Sequence, residues 1–120
     1  MIAVEQLGAN ALKLTAPPKL QVGDFARLAP LADGLIREFG SLRLLIDATA
    51  LTGWESPAAV ESHAAFVKGH QHKVERIALL AAHDWQHWLI AAVRVFLHPR
   101  IKVFAPGEED KARRWLLDKG

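Results

Sequence analysis

The chain has 120 residues, 51% hydrophobic and 23% charged, which suits one domain that hides roughly 65% of its unfolded surface and excludes intrinsic disorder. It contains no cysteine, so a disulfide framework, a thiolate metal site and a cysteine nucleophile are all excluded, and a cytoplasmic location is expected. The net charge of +2 is scattered among acids with no basic cluster interleaved with aromatics, so nucleic acid is not an expected partner.

The opening MIAVEQLG has neither a basic leader nor an apolar stretch with a small-residue cleavage site, and it reads as mature protein. The apolar run at residues 88–93 falls far short of the ~20 residues of a membrane span.

Apolar-rich runs at residues 2–7 and 11–16, split by Gly8, Ala9 and Asn10, predict an opening hairpin, which Pro17 and Pro18 end. Asp24 is placed to cap a helix whose apolar positions Phe25, Leu28, Ala32, Leu35, Ile36 and Phe39 recur at three and four residues. Pro30 removes a backbone donor inside that pattern, so a kink or a second helix start is expected there, with Gly40 as the stop. Leu42, Leu44, Leu45 and Ile46 form the nearly continuous apolar run of a central strand covered on both faces.

The next helix is predicted to start at Ser56, with its hydroxyl as cap and Pro57 in the first helical position, and to run to about Gly69. A strand follows at residues 77–82. Asp84 then caps a helix over residues 85–97, which His98 and Pro99 end. Residues 101–105 read as a short strand, Pro106 and Gly107 as a turn, and residues 108–119 as a last helix with acids first and bases last, matching its dipole. Strands alternating with helices imply parallel pairing. The expected architecture is therefore a single α/β domain over residues 1–120, an open mixed sheet of five strands with an antiparallel first strand and four right-handed β-α turns.

RLLID at residues 43–47, Gly53 with Trp54, ERIALLA at residues 75–81 with Trp85 and Trp88 after it, and VFAPGEEDKARRWL at residues 103–116 stand in an order that resembles the SpoIIAA-like family of STAS-type proteins. That family is also grouped with CRAL-TRIO lipid-binding domains. The resemblance implies a small bacterial α/β domain, with protein binding or lipid binding rather than a reaction as its task. Related STAS-type anti-anti-sigma factors carry a phosphorylated serine in an Asp-Ser-Ser-Gly turn after the central strand. The matching stretch here is Glu55-Ser56-Pro57-Ala58, so Ser56 lies on the first serine while Pro57 replaces the modified one. Ser56 then reads as a helix cap.

No catalytic constellation is complete. A serine hydrolase needs Gly-x-Ser-x-Gly at a sharp elbow, but Gly53 stands three residues before Ser56 and Pro57 follows it. Asp47 ends a central strand at the edge where open α/β sheets bind ligands, or bonds to loop N–H groups. His83 with His87, and His70 with His72, have spacings at which imidazoles share zinc. Without HExxH, a third ligand or a cysteine they read as surface groups, and neither a metal nor a cofactor is expected.

In the helix over residues 85–97, Trp85, Trp88, Leu89, Ala92, Val93 and Phe96 form one stripe, and Ile90 and Leu97 widen the apolar arc beyond one packing face. That arc must meet a neighbouring helix, an apolar ligand, a membrane surface or a second copy in a homodimer, with Ile90 and Leu97 as the oligomer contact. The helix after Ser56 has a thin stripe of Val60, Ala64 and Val67, and its small residues leave room for a cleft with Trp54 and Phe66 at the mouth beside Trp85. The leading expectation is a non-enzymatic STAS-like interaction or regulatory module that meets a protein partner through Asp47, Trp54 and Ser56. The alternative is a carrier or sensor of an apolar small molecule or lipid that uses Trp54, Phe66, Trp85 and Trp88. The weakest is an enzyme of unknown reaction.

Overall fold

The structure is a computed structural model that describes residues 2–81 and 100–118. Its strands and helices in order are β1 (Ala3–Gln6), β2 (Ala11–Thr15), β3 (Lys19–Leu20), α1 (Val22–Phe39), β4 (Leu42–Asp47), β5 (Gly53–Trp54), α2 (Pro57–His70), β6 (Val74–Leu80), β7 (Arg100–Phe104) and α3 (Glu109–Leu117). The helix expected over residues 85–97 lies outside the described residues, and with it Trp85, Trp88, Ile90 and Leu97. Among the described residues no helix is long and apolar enough to cross a membrane.

One sheet has the order β1-β2-β4-β6-β7, with β1 antiparallel to β2 and every other pairing parallel. The expected five-stranded mixed α/β sheet with an antiparallel first strand is therefore present. Leu42, Leu44 and Leu45 on the central strand are all buried, because helices cover both faces. On one face Ala11, Leu45, Ala78, Leu80 and Phe104 pack with Ala112 and Leu116 of α3. On the other, Leu12, Leu14, Leu42, Leu44 and Val74 pack with Leu28 and Ala32 of α1, and Phe66 of α2 leans on that layer.

Two local expectations are corrected. Asp24 is not the cap of α1: the helix starts three residues earlier than expected, at Val22, Gln21 is the cap residue, and the Asp24 carboxylate reaches back to accept the Gln21 N–H at 2.8 Å. Of the two outcomes expected at Pro30, the second helix start does not occur: α1 runs continuously through it over 18 residues. Burial of Phe25, Leu28 and Ala32 on both sides of Pro30 holds the two halves on one packing face. The expected first strand of the hairpin is present as β1, and all four of its residues are exposed at the sheet edge.

Gly40 stops α1 as expected: its φ of 82° is left-handed, and its N–H closes on the Ile36 carbonyl at 2.7 Å. The pairing of β3 with β5 has no counterpart in the sequence reading. Two residues on each side are too few to leave a periodic pattern.

Candidate functional site

The segment between β4 and α2 is tied down by nearly every polar group it owns. The Asp47 carboxylate accepts from the Thr49 N–H at 3.1 Å and from the Thr49 hydroxyl at 2.7 Å, so it closes the turn that leaves the strand. Thr52 donates its N–H and its hydroxyl to the Pro18 carbonyl, both at 2.8 Å, and the Glu55 N–H donates to the Leu20 carbonyl at 2.8 Å. Gly53 sits between these anchors with φ 151°, a backbone conformation that a side chain resists. Ser56 Oγ accepts from the Ala59 N–H at 3.2 Å, which is the expected cap of α2 with Pro57 behind it.

Trp54 joins this loop to the helix. Its indole N–H donates to Nδ1 of His63 at 3.1 Å, and the neutral imidazole therefore keeps its proton on Nε2. His63 lies flat on Phe25 with ring centroids 5.0 Å apart, Phe25 meets Phe66 at 6.0 Å, and Phe66 stacks on His70 at 4.3 Å. Burial pushes the His63 imidazole below its ordinary pKa. His70 ends the row, with Nδ1 2.8 Å from the Phe66 carbonyl and Nε2 2.8 Å from the Asp33 carboxylate of α1. Both of those oxygens only accept, so the two contacts are hydrogen bonds together only when both ring nitrogens carry protons.

The inward face of α2 is thus Ala59, His63, Phe66 and His70, one helical row. This corrects the expected stripe of Val60, Ala64 and Val67. Val60 is 47% exposed, whereas Ala59 is fully buried. It also corrects His70 as a surface imidazole. His63 escaped the sequence reading because imidazole counts as polar, although its spacing from Ala59 and Phe66 carried the signal.

Of the sequence candidates, the structure brings Trp54 and Phe66 into one aromatic row, with Asp47 and Ser56 along the same loop. Two grooves along β1 are lined by residues of β1, β2 and α1, and neither contains Trp54 or Phe66. Among the described residues, no three His, Asp or Glu side chains gather as metal ligands.

What the loop presents outward is small and mostly uncharged. Ala50, Thr52, Pro57, Ala58, Val60 and Ala64 are exposed, with Glu55 and Glu61 among them. Such a surface allows close approach of another backbone.

No curated protein matches the chain. The fold is similar to the crystal structure of an uncharacterized protein from the DUF3478 family with a SpoIIAA-like fold from Shewanella loihica PV-4. The TM-score is 0.79 at 24% identity, with 97% of this chain and 92% of that one covered. A family model described as SpoIIAA-like matches residues 11–117 and so takes in β2 to α3, and on that match the chain belongs to the SpoIIAA-like family.

Proposed function

We propose that the chain is a non-catalytic interaction or regulatory module whose contact surface is the 48–55 loop together with the outer face of α2. The observation that carries this reading is the use of polar groups. Asp47, Ser56 and His63, the side chains that a reaction would need, hold the loop in one shape, while small side chains and Val60 face outward. A pre-shaped loop loses little conformational entropy on docking, which favours recognition.

The test is site-specific photo-crosslinking from position 58 in the native host, read by mass spectrometry. A single protein crosslinked in stoichiometric amount, and lost with Val60→Arg, is expected. Crosslinks that persist in Val60→Arg, or none above background, would remove α2 from the contact surface.

A further inference from the structure

Among the described residues, strand β1 is one edge of the sheet and pairs with β2 alone. Antiparallel ladders alternate, and the Leu7 N–H donates to the Ala11 carbonyl at 2.8 Å. Counting back by twos, Glu5 and Ala3 turn their backbone groups to β2, whereas Ile2, Val4 and Gln6 turn theirs outward. The Ile2 N–H is taken up by the Asp24 carboxylate at 3.3 Å. Among the described residues, no strand meets the outward groups of Val4 and Gln6.

Beside this edge a groove of about 310 Å³ runs between β1 and α1, with Ile2, Val4, Leu28 and Leu31 among its walls. Val4 is 40% exposed and Leu31 51%. Among the described residues, nothing covers the apolar layer between sheet and helix where it continues past the last strand. Two charges border it. Asp24 is engaged by the Ile2 and Gln21 N–H groups, whereas Arg27 forms no ion pair among the described residues. An open strand edge beside a helix is the geometry that accepts an added strand: main-chain bonds form along the edge, and alternate side chains enter the groove.

We propose that this edge takes up an extended segment of a partner protein as a sixth strand, its apolar side chains against Leu28 and Leu31 and a carboxylate at Arg27. Charge complementarity selects this occupant. A second copy of the chain fits less well, since antiparallel self-pairing that bonds both Val4 and Gln6 sets Glu5 directly opposite the Glu5 of that copy, and like charges in register repel. On the other face of the added strand, the residue facing Glu5 should be basic or neutral. The surface is distinct from the loop and α2 face and stands on different residues.

The probes are two end-capped octapeptides in which valine alternates with lysine, one with glutamate replacing the first valine and one with glutamate replacing the last. They are titrated into the 15N-labelled full chain. At least one should shift the amides of Val4, Gln6, Leu28 and Leu31 in a saturable way. Leu31→Asp should abolish the effect, and Arg27→Glu should weaken binding by about threefold or more, as loss of an exposed ion pair allows. Both side chains are exposed, and the amide spectrum of each free variant reports that it is folded. Absence of saturable shifts at millimolar peptide, shifts centred elsewhere, or equal affinity in Arg27→Glu would overturn the proposal. So would sedimentation showing a dimer that Leu31→Asp dissociates, because the edge would then belong to a second copy.

Discussion

Arg43 and Arg76 are register partners on β4 and β6, and both guanidinium groups close on the last turn of α3. Arg43 donates to the Leu116 and Asp118 carbonyls at 2.7 and 2.6 Å, and Arg76 donates to the Trp115 carbonyl at 2.6 Å. Two like charges side by side in a sheet repel, but the negative end of a helix and its orphan carbonyls offset that repulsion. The helix has no left-handed glycine at its end, and Asp118 is extended with φ −63° and ψ 134°. The arginines do the work of a C-cap and lock α3 over Leu45 and Leu80.

Arg76 is only 4% exposed and lies 5.3 Å from the Trp115 ring centroid. Arg76→Met should therefore lower stability by about 2 kcal/mol, the worth of a charge-assisted hydrogen bond with a cation–π contact beside it. Urea unfolding checks it: the midpoint should fall with the slope unchanged. The combined Arg43→Met and Arg76→Met loss should depart from the sum of the two, since both act on one helix end.

His63 makes stability depend on pH. Its folded pKa is depressed by burial, so around the ordinary value of about 6.5 the unfolded chain takes up a proton that the native imidazole refuses. The contribution is therefore complete above about pH 6.5 and is lost as pH falls from there through the depressed folded value. Unfolding free energy measured from pH 8 to 5 should fall less in His63→Gln than in the natural chain; parallel curves would show that His63 is not the group responsible. Trp54→Phe removes the indole donor that only an unprotonated Nδ1 can accept, so an NMR titration should find the His63 pKa moved upward.

Glu75 is held below its ordinary pKa, first by the Ser41 hydroxyl at 2.6 Å and then by Arg43. Its stabilising contribution is present above the unfolded carboxylate pKa and is lost as pH falls through the lower folded one. Ser41→Ala should raise the Glu75 carboxyl pKa in a 13C titration. The exposure of Glu75 makes any accompanying change in stability small.

Gly40→Ala should cost about 1 kcal/mol because a left-handed residue ends α1, and an added methyl would meet nothing within 4 Å, which leaves the backbone as the whole cost. Calorimetry gives the shift in Tm. A fall no larger than that of an exposed mid-helix substitution would show that the end of α1 relaxes without cost.

Several elements were legible because their cause is local. The apolar run from Leu42 to Ile46 is a buried strand wherever it stands, Ser56 with Pro57 starts a helix by its own chemistry, and Gly40 ends one by its freedom of φ. The SpoIIAA-like resemblance rested on the same local pieces in order. Asp47 as the clasp of its turn needs only Thr49, two residues on.

Other features depend on groups far apart in the chain. Asp24 serves α1 from its third position and also holds Ile2, 22 residues away. The buried face of α2 is one residue round from the stripe that hydropathy suggests, because Phe25 of α1 and Trp54 of β5 turn His63 inward. Arg43 and Arg76 find their acceptors only where α3, 73 and 39 residues further along, brings the Leu116 and Trp115 carbonyls to them. Sequence determined the five strands of the main sheet, the end of α1 at Gly40 and the start of α2 at Ser56, since backbone propensity and apolar spacing act between near neighbours. Tertiary packing decided which polar groups are satisfied and which edge stays open, because a hydrogen bond or a free strand edge belongs to the assembled sheet and helices rather than to any segment.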